Sequence, residues 1–371
     1  MDFSLNELQT MLADSISRFI DNEYDFDTRQ SYAGSERGFS DEVWAKFADL
    51  GWTAVPFAEE DGGIGGGPAD VMVLMENLAR GLVVEPYLAN VVLAGGILAR
   101  TASDAQKERW LHPIIGGELH ATLAYYEPQS RYALADVATT AKPDGDGWRI
   151  SGSKGVVPSA ETADLIIVPA RTAGDPGDVA GITLFAVPAV DITVQGYATV
   201  DGLRAAEIRL DDVLVGPDHV LGKPGEGFDP LDATIDDATL AVCAEAVGLM
   251  RVLTDKTVEY SKQRVQFGVP IGSFQSLQHR MVDMLMACEQ ARSVLLWAVM
   301  LHAAGEDSKR AISSIKYLVG TAGQKVGEEA IQIHGGMGVT WDLDVAHFFK
   351  RLTVINRLFG NADWHLDELA A

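Results

Sequence analysis

The sequence predicts an α+β chain that is mainly α: an N-terminal helical domain, a central antiparallel β-barrel-like domain and a C-terminal four-helix-type bundle. Three observations carry this. Apolar residues recur at helical spacing as far as about residue 118. From about 120 to 220 the runs ATLAYY, WRISGS, DLIIVPA, ITLFAV and AEIRL are short, bounded by Gly, Pro and Asp, and not separated by helical patterns. After Gly222-Lys223-Pro224-Gly225-Glu226-Gly227 the pattern is helical again. The expected domains are 1–118, 119–222 and 223–371.

The elements follow in order. Ser4 and Glu7 have capping-box spacing, and Phe3 with Leu8 has hydrophobic-staple spacing. Leu5, Leu8, Leu12, Ile16 and Phe19 then form one stripe. A second helix should run from Ser40 to about Gly51 and bury Val43, Trp44, Phe47 and Leu50. Val71, Leu74, Met75, Leu78 and Leu82 give another stripe, and Ser103 with Gln106 repeats the capping signal. Pro143-Asp144-Gly145-Asp146-Gly147 between two strand-like runs predicts a hairpin. Without helical crossovers, parallel βαβ units are disfavoured. In the last region, 235–262, 274–304 and 309–334 read as long helices joined by short links, with two shorter helices after them. Leu277, Met281, Met284, Leu285 and Cys288 share a face.

Composition narrows the function. Twenty-nine Lys and Arg against 53 Asp and Glu leave a net charge of −24, which excludes a general binder of phosphate backbones and disfavours anionic lipid. Local Arg residues or backbone amides can still hold a small anion. Cys243 and Cys288 lie alone in apolar helical patterns, so they read as small buried hydrophobes. The acidic, polar start MDFSLNELQ is no secretory signal, and no stretch reaches the length of an uncharged membrane span; the expected location is cytoplasmic. The eight His lack paired-ligand spacing, so no metal is expected. The run Gly62–Gly67 breaks GxGxxG spacing at Pro68 and follows acidic coil, which makes it a loop rather than a nucleotide cradle. GxxxxGK[ST] and GxSxG are absent.

Two segments stand out. Arg264-Val265-Gln266-Phe267-Gly268-Val269-Pro270-Ile271-Gly272-Ser273-Phe274-Gln275 is a Gly/Pro turn carrying an Arg, aromatic residues and amides between two long helices. Gln332-Ile333-His334-Gly335-Gly336-Met337-Gly338 ends a helix in glycines, where backbone can approach a ligand. On spacing alone, both are equally well helix C-caps and tight turns.

Together with the helical–β–helical order, these segments make the chain resemble the acyl-CoA dehydrogenase family over nearly its whole length. The resemblance implies oxidation of an acyl-CoA thioester to the 2,3-enoyl-CoA. A carboxylate removes the α-proton while hydride leaves for FAD. It also implies that Arg264, Phe267, Gln275, Gln332, Gly335 and Gly336 bind the ADP part of a neighbouring subunit's FAD. An electron-transfer flavoprotein is the implied acceptor.

The sequence departs from the family at two places. The two positions where members carry the catalytic Glu are Phe359 and Ala238, the latter followed by Thr239. Neither side chain can take a proton. The family's Thr-Glu-Pro-x-Ala-Gly-Ser-Asp segment reads Tyr126-Glu127-Pro128-Gln129-Ser130-Arg131 and onward to Asp136. The Trp-Ile-Thr at the flavin reads Val156-Val157-Pro158, and proline offers neither a backbone donor nor a hydroxyl; Ser159 could substitute only with shifted geometry. The half of a site lent to a neighbour is present, while this chain's own flavin half and base are altered. That pattern resembles the small subunits of heteromeric bacterial members such as pimeloyl-CoA dehydrogenase. The expected role is therefore a base-less subunit of an α2β2 acyl-CoA dehydrogenase. The alternatives are a homomeric enzyme with a relocated base, Asp237 first among Asp236, Glu245 and Asp363, and a non-redox scaffold or CoA-ester binder. Arg131 is a candidate for a CoA phosphate or an acidic acyl tail, and His334 for a packing role.

Overall fold

The structure, a computed structural model, describes residues 4–371. In chain order the helices are α1 (Glu7–Glu23), α2 (Phe26–Ala33), α3 (Asp41–Asp49), α4 (Pro68–Leu78), α5 (Gly96–Thr101), α6 (Asp104–Gln106) and α7 (His112–Ile115), then α8 (Phe228–Gln263), α9 (Gln275–Ala303), α10 (Lys309–His334), α11 (Val345–Ile355) and α12 (Ala362–Ala370). Between α7 and α8 lie strands β1 (Ala121–Leu123), β2 (Thr140–Asp144), β3 (Gly147–Pro158), β4 (Leu165–Arg171), β5 (Ile182–Pro188), β6 (Thr193–Ala198), β7 (Arg204–Val215) and β8 (Val220–Leu221). The helical–β–helical architecture is the one expected. The contacts group the chain into two compact units, one of the segments up to Ser31, Gly67–Val83 and Thr239–Ala371, the other of Tyr32–Gly66 and Val84–Ala238.

Local chemistry sets the element ends. Helix α1 is capped by Asn6 rather than Ser4: Asn6 Oδ1 accepts from the Gln9 N–H at 2.8 Å, and Gln9 Oε1 accepts from the Asn6 N–H at 3.1 Å. Phe3 lies outside the described residues, so its staple is not described. Leu12, Ile16 and Phe19 are buried, but Leu5 is exposed because it precedes the helix. Ser40 caps α3, which buries Val43, Trp44 and Phe47; Leu50, past the last turn, faces solvent. Ser103 and Gln106 form the expected capping box on α6. Spacing alone did not reveal the π-helical stretches Leu88–Gly95 and Lys107–Leu111.

The sheet is mixed rather than purely antiparallel. Its order is β6-β7-β3-β2-β4-β5-β8, with β1 beside β4. The predicted hairpin joins β2 to β3, Asp144 opposite Gly147 across Gly145-Asp146. Both edges of β3 are then taken, by β2 and β7, so β4 settles beyond β2 and runs parallel to it at Thr140 and Arg171. Strand β1 also pairs with β4 in parallel, Ala121 opposite Leu165. The core behind the sheet holds Ile150, Val157, Ile166, Val168, Phe185, Val187, Ala206, Ile208 and Leu210. Arg171, buried at the end of β4, spends its guanidinium on backbone carbonyls: those of Ala135, Val137, Ala173, Asp178 and Ala180, at 2.8–3.3 Å.

In the helical unit α9 buries Met281, Met284, Cys288, Ala291, Leu295, Ala298 and Val299. Leu285, expected on that face, is exposed along with Val282, Met286, Trp297 and Met300. Helix α9 is long and apolar enough to cross a membrane by length and composition, which the sequence reading did not anticipate; it is a bundle helix here. Gly320, Gly323 and Gly327 on α10 let α11 approach, since a Cβ there would meet Asn356, Leu352 and Phe349 side chains at 2.4, 3.2 and 2.3 Å. Cys243 and Cys288 are free and buried, and burial pushes the Cys243 thiol up to about 12.

Candidate functional site

The end of α8 and the start of α9 are joined by a miniature hairpin, Val265–Gln266 (β9) against Val269–Pro270 (β10). Its two turn residues, Phe267 and Gly268, both have positive φ, 53° and 84°, as a type I′ turn requires. Glycine adopts that backbone freely. A phenylalanine there is strained, and its ring is 93% exposed. The hairpin base is closed at Arg264, whose N–H donates to the Tyr260 carbonyl and whose carbonyl accepts from Ile271, each at 2.8 Å. The Arg264 and Gln275 side chains are exposed on either side of the turn.

The glycine segment ends α10 beside the same place. The Tyr260 ring stacks on the His334 ring with centroids 4.3 Å apart and 26° between planes, and the Tyr260 hydroxyl donates to the His334 carbonyl at 3.4 Å. His334 Nδ1 donates to the Ala330 carbonyl at 2.8 Å, and burial pushes the imidazole below its usual range. His334 is therefore a neutral packing residue tying the two motifs together. Gly335 follows with φ 61°, a left-handed conformation that ends the helix. Space where a Cβ would stand is open at both Gly335 and Gly336, and Gln332 is exposed one turn earlier. Tyr260 was missed in the sequence. It is an ordinary helix residue until the fold brings α10 to it.

The expected base positions carry no carboxylate and are closed. Ala238 is fully buried in α8. Phe359 is buried with φ 55°, in a turn whose carbonyls are held from inside. Lys316 Nζ donates to the Gly360 carbonyl at 2.5 Å and to that of Asn356 at 3.5 Å. His365 Nε2 donates to the Phe359 carbonyl at 2.9 Å. Burial drops Lys316 to about 8 and His365 to about 4.

The fallback carboxylates are engaged or solvated. Asp237 pairs with Arg100 at 2.5 Å, and Glu245 forms a two-pronged pair with Arg351 at 2.5 and 2.7 Å. Asp236 lies in the same turn as Asp237, and Asp363 sits exposed in the first turn of α12.

In the β-unit, Glu127 is a structural anchor. It meets Lys154 Nζ at 2.6 Å and accepts the Ala138 and Thr139 N–H groups at 2.8 and 3.1 Å. Lys154 also donates to the Pro169 carbonyl at 2.7 Å. Arg131 is exposed with φ 48° on the loop that follows Glu127. Val156 on β3 has φ 49° and Ser159, just past its end, φ 54°, and the donors along this stretch are consumed within the chain. Gly155 N–H goes to the Tyr126 carbonyl (3.0 Å), Val156 N–H to Glu207 Oε1 (3.3 Å) and Ser159 N–H to the Arg204 carbonyl (3.0 Å). Val157 stands opposite Ala206 in the ladder, and Pro158 has no N–H.

Three family models match in series: the acyl-CoA dehydrogenase N-terminal domain over residues 6–118, its middle domain over 122–213 and its C-terminal domain over 225–371. The 3-(aryl)acrylate reductase of Clostridium sporogenes is 30% identical over 324 residues, covering 85% of this chain and 86% of that one. Solved structures of PigA with FAD and proline (TM-score 0.93, 27% identity) and of the ChsE4–ChsE5 complex from Mycobacterium tuberculosis (TM-score 0.91, 26% identity) each cover all of this chain and 98% of their own. Three domain models matched in series and a relative 30% identical over most of its length show that the chain belongs to the acyl-CoA dehydrogenase family.

Proposed function

We propose that this chain is a subunit of an FAD-dependent enzyme that converts an acyl-CoA to the 2,3-enoyl-CoA, and that it lacks its own base and completes the FAD site of a catalytic partner. One observation carries the reading: the two halves of the cofactor site differ in openness. The ADP half fits. Arg264, Gln275 and Gln332 are exposed, and Gly335 and Gly336 leave room for close backbone approach. Arg264 would meet the pyrophosphate as a charge-assisted pair, and the two amides would orient it. The ring half does not fit, because β3 has no free donor where the family expects one.

FAD, when bound in the assembly, would supply the acceptor for the hydride that leaves the β-carbon. This chain's contribution is to bind and orient the cofactor's diphosphate end. The partner supplies the carboxylate base and the ring-binding strand, and an electron-transfer flavoprotein takes the electrons onward. The solved complex of two chains, ChsE4 and ChsE5, supports a heteromeric assembly. A homomeric enzyme using Asp237 is disfavoured, since that carboxylate is held by Arg100.

The experiment is co-expression with a Glu-bearing partner, followed by FAD titration of the apo complex. Arg264→Ala removes a bond to a charged group, about 1.5–3 kcal/mol, so affinity should fall about ten- to a hundredfold. Activity should recover in excess FAD. Unchanged affinity in a correctly assembled complex would overturn the reading.

A further inference from the structure

The β3 strand carries a bulge whose purpose is not explained by the fold. Lys154 stands opposite Ile208 and Val157 opposite Ala206, so Gly155 and Val156 together face the single residue Glu207 on β7. Val156 pays with a left-handed backbone, φ 49°, which a β-branched side chain adopts only when its surroundings impose it. Glu207 imposes it. Oε1 takes the Val156 N–H at 3.3 Å and is itself fixed by the Tyr197 hydroxyl at 3.0 Å. Oε2 lies over Gly155, where a Cβ would stand 2.9 Å away, so a side chain at 155 would push the carboxylate aside. Burial and the neighbouring carboxylate push the Tyr197 phenol up to about 12, as expected of a hydroxyl that keeps its proton on Glu207.

We propose that Glu207 is the residue that keeps a flavin ring off this chain's own β3 rim, by capturing the Val156 donor and filling the bulge. This rests on the proposed function above, and it goes further in assigning the closure to a side chain on a different strand from Pro158. Pro158 removes one donor; Glu207 occupies the other. Restoring a threonine at 158 therefore does not reopen the rim by itself.

The test is FAD titration of the purified full chain, read by quenching of flavin fluorescence and by the shift of its visible absorption band. The proteins are wild type, Pro158→Thr, Glu207→Ala, Glu207→Gln and the doubles combining Pro158→Thr with each Glu207 change. Wild type and P158T should bind FAD only weakly. The double with E207A should bind at least about tenfold tighter than P158T. The double with E207Q should behave like P158T, because the glutamine oxygen still accepts from Val156 and Tyr197. Far-UV circular dichroism checks folding. If E207A fails to fold, Tyr197→Phe on the P158T background replaces it, with about a threefold gain expected.

Equal binding by P158T and the E207A double would assign the closure to the proline and overturn the proposal. So would no gain in the double, or an E207Q double as open as the E207A one. Loss of the Arg264 effect in the partnered complex would sink the parent reading without touching this comparison. A closed double variant would sink Glu207's role and leave the parent reading standing.

Discussion

Replacing Lys316 with Met should change how stability depends on pH in a way set by the burial of one ammonium. Lys316 is fully buried on α10, and its hydrogen-bond acceptors are the carbonyls of Gly360 and Asn356. Burial lowers its folded pKa to about 8 from the ordinary lysine value of 10.5. Between those values the unfolded chain binds more protons than the folded one, so wild-type stability rises with pH across that window. From about pH 7.5 to about pH 9.5 the gain is on the order of 2 kcal/mol, at about 1.4 kcal/mol per pKa unit. The neighbouring Cys243 thiol, raised from 9.0 to about 12, acts the other way: the unfolded chain loses that proton first, so its contribution falls above about pH 9. A difference measurement cancels the groups common to both proteins. Urea unfolding of wild type and Lys316→Met across this range should show wild type gaining about 2 kcal/mol on the variant. Parallel pH profiles would refute the reasoning, because they would mean that Lys316 is solvated or stays charged in the fold.

Further outcomes follow from the same geometry. Glu245→Ala removes the two-pronged carboxylate partner of the buried Arg351 guanidinium and should cost about 3–5 kcal/mol in chemical unfolding. Val156→Gly relieves a left-handed valine and should leave thermal stability unchanged or raised, whereas Val157→Gly, in the β core, should lower it by about 2 kcal/mol or more. Phe359→Glu or Ala238→Glu alone should give no robust turnover in the isolated chain, assayed with acyl-CoA and an artificial acceptor; substantial activity would mean that the flavin half is intact.

The sequence displayed what is local. Stripes of apolar residues marked most helices, the Ser103–Gln106 box and the Pro143–Gly147 turn were readable from spacing, and α10 lies at the expected residues 309–334. What escaped depended on partners far along the chain. The parallel pairing of β4 with β2 arises because β7 takes the free edge of β3, a contact more than fifty residues distant in sequence for Lys154 and Ile208. Leu50 and Leu285 fit their stripes, yet one lies past a helix end and the other on a side of α9 that the bundle leaves open. The residues proposed for the ADP end could be singled out because their Gly and Arg signals sit in two compact segments. Tyr260, Glu207 and Lys316 were not, since each acts through a residue of another element.

Arg171 has a consequence for how the β-unit comes apart. One guanidinium gathers carbonyls from the loop around Ala135 and Val137 and from the loop between Ala173 and Ala180. Freeing either loop leaves a buried cation short of acceptors, so opening one raises the incentive to open the other. The two segments should thus form a single cooperative unit in amide hydrogen exchange, losing protection together rather than in sequence. The loop holding Arg131 runs into that unit, so the mobility of this surface is governed by an arginine that never reaches it.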